Sequence, residues 1–438
     1  MFRFNQPIHH IHRRSLWQAL GASAAMLLAT SPSAAQPFTP TTPQYTALEA
    51  VLAGFDARVA AEVRDDGIGA ITAGVVLGDG LIWKKSWGWS DVERREQATP
   101  EGVYRLGSVT KVFTAALLMR LVERRVIELD ESVESYVPEL VGLPRRPARG
   151  GPITFRQLAS HSSGLALHPE VPDPARPVTD WEARLLEVLP KTPFVGAPGE
   201  QAEYSSVGYA ILGLALQRAA GLDFMELLAD EVTLPLGMTH TAYRISDEMR
   251  EHLTGAYQNY SDGRMDPDAI LRHQERINFA VGGNHLYSTV EDLGKLIAVL
   301  MADDGEHTAF LSPEGLREMR KVQAVRERQR RIGLQRGYGL ALNVFEHESG
   351  AVFFLKDGYE AGYTAQIAFD PARKLGVVLL RNYNYGRTLL APTSIQLLAE
   401  LGQAIDHERS DPQKGFEALV HGSELRTDSP KGVFQFVS

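Results

Sequence analysis

Residues 108–124 limit the fold of this chain more than any other stretch. Val112, Phe113, Ala115, Ala116, Leu117, Leu118, Leu121 and Val122 point nearly all round a helical wheel. A helix with that pattern is buried on most of its sides. Upstream, Leu48, Val51, Leu52, Phe55, Val59 and Val63 recur at three and four residues and predict an amphipathic helix over 47–63. The β-type runs 71–77 and 81–87, joined by Gly78-Asp79-Gly80, read as a hairpin. Residues 125–285 read as short helices and loops rich in Pro and Gly. A helix over 289–301 follows, then β-type runs at 338–346, 352–356, 364–369 and 376–381, and a last helix over about 393–405. No internal repeat is visible. The early and late strands can join one central antiparallel sheet flanked by helices, an α/β chain of the α+β type, with a mostly helical inserted domain. The expected divisions are a signal peptide at 1–35, a linker at 36–45, a sheet domain from 46–115 and 286–405, a helical insert at 116–285 and a tail at 406–438.

Composition excludes several classes of function. Hydrophobic residues make up 44% of the 438 and charged residues 23%, a balance that supports a substantial core rather than general disorder. The formal net charge of -9 argues against a nucleic-acid partner, which calls for a basic face. The basic run 326–331 reads as a solvated helix face or loop. With no cysteine, disulfides, thiolate catalysis and cysteine metal sites are all excluded.

The N-terminus carries an address. No acidic residue precedes Glu49, and Arg3, Arg13 and Arg14 lead into the uncharged, mostly apolar stretch 16–30. Ser33-Ala34-Ala35 then supplies small residues, so cleavage is expected after Ala35. Arg13-Arg14-Ser15-Leu16 resembles a twin-arginine signal, although a general secretory signal can also carry two arginines. The apolar run is short for spanning a bilayer, so cleavage is expected rather than anchoring. The mature protein is expected in the periplasm or outside the cell, without a membrane span.

Three short motifs can carry chemistry. In Ser108-Val109-Thr110-Lys111, residues i and i+3 share a helix face. A lysine whose pKa is lowered by burial and by neighbouring cations can take the serine proton. Gly107 permits a tight entry, and the helix start offers N–H groups to a developing oxyanion. Alone, such a pair arises by chance about once in a chain of this length, and Ser108 would serve equally as an N-cap. The buried helix raises its weight, because Lys111 is an odd residue to bury idle. In Tyr204-Ser205-Ser206, a phenol near a lysine can serve as a base; a helix-capping Tyr is the commoner case. Lys356-Asp357-Gly358 is expected at the end of an apolar strand. There glycine admits a substrate backbone and lysine adds positive charge, or the three residues form an ordinary hairpin turn.

Taken together, Ser108-x-x-Lys111, Tyr204-x-Ser206 and Lys356-x-Gly358 resemble, in order and spacing, the signatures of the class C β-lactamase superfamily of serine hydrolases. That group also holds D-alanyl-D-alanine carboxypeptidases, D-aminopeptidases and bacterial esterases. The stretches 154–165, 234–238, Gly282-Gly283, 286–289 and Asp292-Leu293 match too, so the resemblance spans roughly 45–405. It implies a β-lactamase/transpeptidase-like fold in which Ser108 attacks a carbonyl and becomes acylated. It implies that Lys111 and Tyr204 share the base and acid roles, and that the N–H groups of Ser108 and Tyr359 form an oxyanion hole. Lys356, Ser206, Gly358 and Tyr359 then contact a small-molecule or peptide substrate. His161 is expected to be structural, and neither metal nor organic cofactor is implied.

Two positions depart from the pattern. The second signature usually ends in Asn, which grips an amide carbonyl, and here it ends in Ser206. The third usually carries Thr or Ser where this chain has Asp357, and a carboxylate repels a substrate carboxylate unless Lys356 neutralises it. Both favour an ester or a D-amino-acid peptide over a β-lactam. A class C-type β-lactamase and a non-catalytic penicillin- or peptide-binding sensor are the alternatives.

Overall fold

A computed structural model describes residues 46–171, 176–259, 265–270, 276–277, 279–303, 309–325, 335–360 and 362–410. The expected signal peptide and linker, the basic run 326–331 and residues 411–438 lie outside them. Among the described residues, eight strands form one antiparallel sheet. Their order is Gln335–Tyr338, Asn343–Glu346, Val352–Glu360, Tyr363–Asp370, Leu375–Arg381, Ala70–Leu77, Gly80–Asp91 and Glu96–Gln97. The late strands therefore join the early hairpin directly: Ala73 stands opposite Leu379 on one side and Lys85 on the other.

Strand alternation sends side chains to two cores. Phe353, Leu355, Ala368, Val377 and Leu379 pack with Phe55, Val59, Leu397 and Leu401 of the helices Thr46–Asp66 and Leu390–Ser410. Phe354, Ile367, Phe369, Val378 and Leu380 face the other way, into the core that holds the helices Thr110–Glu123 and Val290–Met301. The helix Thr110–Glu123 meets the demand of its apolar wheel. Thr110 to Met119 and Leu121 are all buried, against the helices Ser206–Ala220, Phe224–Leu228 and Pro313–Arg320 and the turn Val281–Gly283. The α+β expectation holds. Among the described residues, no helix is long and apolar enough to cross a membrane.

Three expectations change in detail. The helix expected from residue 108 begins as a 3₁₀ turn, Gly107–Val109, and becomes α-helical at Thr110. The single run 338–346 is two strands, Gln335–Tyr338 and Asn343–Glu346. Between them Leu340, Ala341 and Leu342 form a turn buried in the core, with Ala341 at φ 66°; burial of that turn makes the sequence read as continuous strand. The strand expected to stop at Lys356 runs from Val352 to Glu360. Lys356-Asp357-Gly358 is thus not a turn. Lys, Asp and Gly have weak strand preference, but pairing of Gly358 with Ala365 holds them extended, and the reversal comes at Gly362, φ 77°.

Candidate active site

Two glycines bring the nucleophile turn against the long strand. Gly107 has φ 50°, and a Cβ placed on it would stand 2.6 Å from the Tyr359 nitrogen. A Cβ on Gly358 would stand 1.9 Å from the Leu106 carbonyl oxygen and 3.1 Å from the Ser108 nitrogen. Only glycine permits backbones this close. Ser108, in the 3₁₀ turn, and Lys111, in the first turn of the α-helix that continues it, stand three residues apart on one face, and Lys111 Nζ donates to Ser108 Oγ at 3.1 Å.

A second clamp holds Lys111 from the Gly282-Gly283-Asn284 segment. Lys111 Nζ donates to the Gly283 carbonyl at 2.9 Å, and Thr114 Oγ1 donates to the Gly282 carbonyl at 2.6 Å. A Cβ on Gly283 would come within 2.9 Å of Nζ. Ser108 Oγ in turn donates to Asn284 Oδ1 at 3.1 Å. Asn284 is a site residue that the sequence gives no reason to single out, since its contact with Ser108 arises only in the fold.

Tyr204 approaches from the helical part of the chain. Ser205 caps the helix Ser206–Ala220, accepting from Gly208 N–H at 2.9 Å and donating to the Ala166 carbonyl at 2.7 Å. The Ser205 N–H donates to His161 Nδ1 at 3.2 Å, and the His161 ring lies against Tyr204, tilted by 34°, with centroids 4.1 Å apart. Lys356 Nζ donates to the Tyr204 hydroxyl at 3.2 Å and lies 4.6 Å from its ring centroid. Lys111 Nζ is 5.1 Å from the same ring. The structure thus brings Ser108, Lys111, Tyr204 and Lys356 together.

Their charges are unequal. Burial lowers the pKa of Lys111, the Lys356 cation lowers it further, and Tyr204 and Asp357 oppose without prevailing. Burial would also lower Lys356, but Tyr204 and Asp357 outweigh it and its pKa is raised. Burial disfavours the Tyr204 phenolate, yet the two lysines overcome this and bring its pKa down to about 8. Burial keeps His161 neutral, reinforced by Lys356 and Lys111. The arrangement contains a serine hydroxyl, an amine of lowered proton affinity, a phenol brought down to about 8 and a second amine of raised proton affinity.

The other candidates surround this centre. Ser206 is buried in the first turn of its helix and donates its N–H to the Leu167 carbonyl at 3.1 Å. Along the strand, Lys356 and Gly358 face the nucleophile turn, while Asp357 and Tyr359 are exposed. Tyr359 lies 6.0 Å, ring to ring, from Tyr385, and its backbone nitrogen abuts Gly107, next to Ser108. Among the described residues, no group of acids and histidines is arranged to hold a metal ion.

Comparison with known proteins places the chain by family and fold. The profile of the family described as Beta-lactamase matches residues 55–400. Beta-lactamase-like protein 2 of Dictyostelium discoideum is 25% identical over 373 residues, 81% of this chain and 64% of that protein. The D-alanyl-D-alanine-carboxypeptidase/endopeptidase AmpH of Escherichia coli strain K12 is 29% identical over 206 residues, 47% of this chain and 50% of its own. This chain therefore spans from half to just under two thirds of the length of these two curated relatives. Among solved structures, the octameric penicillin-binding protein homologue from Pyrococcus abyssi matches with a TM-score of 0.66 at 24% identity, over 84% of this chain and 81% of that one. The beta-lactamase/D-alanine carboxypeptidase from Yersinia pestis, complexed with citrate, matches with a TM-score of 0.66 at 21% identity, over 82% and 99%. The β-lactamase/transpeptidase-like fold expected from the three signatures is borne out.

Proposed function

Since this chain belongs to the beta-lactamase family, we propose that it is an exported serine hydrolase that cleaves an ester or amide bond through an acyl-Ser108 intermediate. The observation that carries this is the 3.1 Å contact between Ser108 Oγ and the Nζ of a lysine whose pKa burial has lowered. A neutral Lys111 takes the Ser108 proton as Oγ bonds to the substrate carbonyl carbon. The C–O or C–N bond then breaks, and the leaving group receives a proton from Lys111 or Tyr204. Water next attacks the acyl carbon and gives a proton to the same base, which passes it to Ser108 Oγ as the acyl C–Oγ bond breaks, releasing the acid and restoring Ser108. The N–H groups of Ser108 and Tyr359 are the proposed oxyanion donors. Lys356 holds Tyr204 in place, and Ser206 and Gly358 line the substrate. The proposed substrate approach is between the expected sheet domain, 46–115 with 286–405, and the expected helical insert, 116–285.

Ser206 and Asp357 support an ester or a D-amino-acid peptide as substrate in preference to a β-lactam. The D-alanyl-D-alanine activity in the name of the Escherichia coli relative is consistent with the peptide arm. The test is a panel of p-nitrophenyl esters, D-alanyl peptides and nitrocefin, run on the wild type and on Ser108→Ala. Turnover that Ser108→Ala removes supports the proposal, and nitrocefin leading the panel would restore the β-lactamase reading. Stable labelling by a fluorescent penicillin without turnover of any ester or amide would sink it in favour of a binding sensor.

A further inference from the structure

Behind the candidate site, Arg105, His285 and Glu360 meet in the interior. His285 Nδ1 lies 2.7 Å from Glu360 Oε1, and an Arg105 guanidinium nitrogen lies 3.5 Å from the same oxygen. That nitrogen is also 3.0 Å from His285 Nδ1. A carboxylate only accepts, so the shortest of these contacts puts the proton on Nδ1, which donates to Glu360. The Arg105 guanidinium also lies over the Tyr287 ring, 5.4 Å from its centroid. Burial opposes the Glu360 charge, but Arg105 and His285 outweigh it and hold the carboxyl at about 2.

Each member sits beside a residue of the candidate site in the chain. Glu360 follows Tyr359. His285 follows Asn284, which receives the Ser108 hydroxyl. Arg105 leads through Leu106 into the nucleophile turn, and Leu106 N–H donates to the Leu286 carbonyl at 2.8 Å. Three segments remote in sequence are thus tied behind the three sides of the site. The tie is costly in itself. His285 holds φ 84°, a conformation that persists in a non-glycine residue only when its surroundings over-determine it. Arg105 Nε and Glu360 Oε2 are buried without a hydrogen-bond partner among the described residues. A buried ion pair left incompletely satisfied is a poor way to gain stability. It does join three segments: the one before the nucleophile turn, the one after Asn284 and the end of strand Val352–Glu360.

We propose that Arg105, His285 and Glu360 form a buried latch that positions Asn284, the nucleophile turn and the Tyr359 strand relative to one another. They are positioning residues, and the proposal rests on the hydrolase reading only for its kinetic arm. Misplacing reacting groups by about 1 Å can cost about 100-fold in rate. Glu360→Gln keeps the shape and removes the charge.

The experiment compares Glu360→Gln with Asp370→Asn, which removes a buried carboxylate paired with Arg373 at the far end of the neighbouring strand. On a p-nitrophenyl ester, Glu360→Gln should lower kcat by about 10- to 100-fold with KM within about twofold. Asp370→Asn should leave both unchanged, whatever it does to the melting temperature. Hydrogen–deuterium exchange on the same proteins reads the latch without any turnover. Glu360→Gln should speed exchange in peptides covering 281–288 and 356–363 and leave Asp370→Asn as the wild type there. Unchanged exchange in both peptides overturns the latch. A kcat loss matched by Asp370→Asn makes the cluster merely structural and overturns it equally. If the wild type hydrolyses nothing while exchange still responds, the hydrolase reading fails and the latch stands.

Discussion

Lys111 and Lys356 are both buried and both contact Tyr204, yet their proton affinities move in opposite directions. Burial works against the charge of each. For Lys111 it prevails, because its strongest ally, Tyr204, is countered by the Lys356 cation. For Lys356 it loses, because Tyr204 and the adjacent Asp357 act together. The two lysines differ in location as well as proton affinity: Lys111 rises from the first turn of a buried helix, three residues after Ser108, and Lys356 projects from a strand beside a carboxylate. Lys356 therefore holds its proton more tightly, and its charge helps lower the proton affinity of Lys111. Burying two like charges around one phenol drives their proton affinities apart.

The largest expected effect tests whether there is a nucleophile to serve. Ser108→Ala should lower kcat on whichever panel substrate is turned over by about 10⁴-fold or more, with an unchanged circular dichroism spectrum. Retained turnover would mean that the nucleophile is misassigned. Next come the lysines themselves. Lys111→Met should cost about 10³-fold at neutral pH and Lys356→Met about 10²-fold, within the usual range for proton-transfer groups. Equal losses would erase the division between them.

The third prediction concerns pH. Tyr204, with its pKa brought down to about 8, accepts a proton only once ionised. The kcat/KM of an ester substrate should therefore rise with pH through about 8. Lys356→Met removes a cation that favours the phenolate, so the inflection should move to higher pH. A profile that stays in place in this variant would detach Tyr204 from the rising limb.

How far the sequence disclosed this site depends on the range of each contact. The helix behind Ser108 was legible because eight apolar side chains all round a wheel can only be buried, and Ser108 with Lys111 because their spacing is local. Tyr204 and Lys356 come from distant stretches and were legible only as signatures of a family. Gly107 reads in the sequence as a tight entry and Gly358 as the end of the third signature, but nothing there pairs the two. Their necessity comes from a backbone contact between a turn and a strand that no local pattern encodes. Asn284 has no signal at all, for a lone Asn after two glycines reads as a turn. The same holds for Arg105, His285 and Glu360, three unlike residues whose meeting is wholly tertiary. Strand Val352–Glu360 was read too short because pairing with Tyr363–Asp370 overrides the turn chemistry of Lys-Asp-Gly.

Asp357 provides the smallest and most discriminating test. It lies on the exposed side of its strand, with Asn343 Nδ2 donating to Oδ1 at 3.4 Å. Lys356 does most to hold its carboxyl below the usual range, and Lys111 adds to this. Its charge also reaches inward, favouring protonated Lys111 and disfavouring the Tyr204 phenolate. Asp357→Thr should therefore do two things. Carboxylate-bearing substrates should gain about fivefold over neutral esters, the scale of one unit charge acting through water. The pH inflection should move to lower pH, opposite in sign to Lys356→Met, because removing a negative charge eases ionisation of Tyr204. A gain in relative rate without the pH movement would place Asp357 in the substrate path but outside the charge balance of the lysines. The pH movement without the gain would place it facing away from the cleft, its carboxylate serving only to keep Lys356 the permanent cation of the pair.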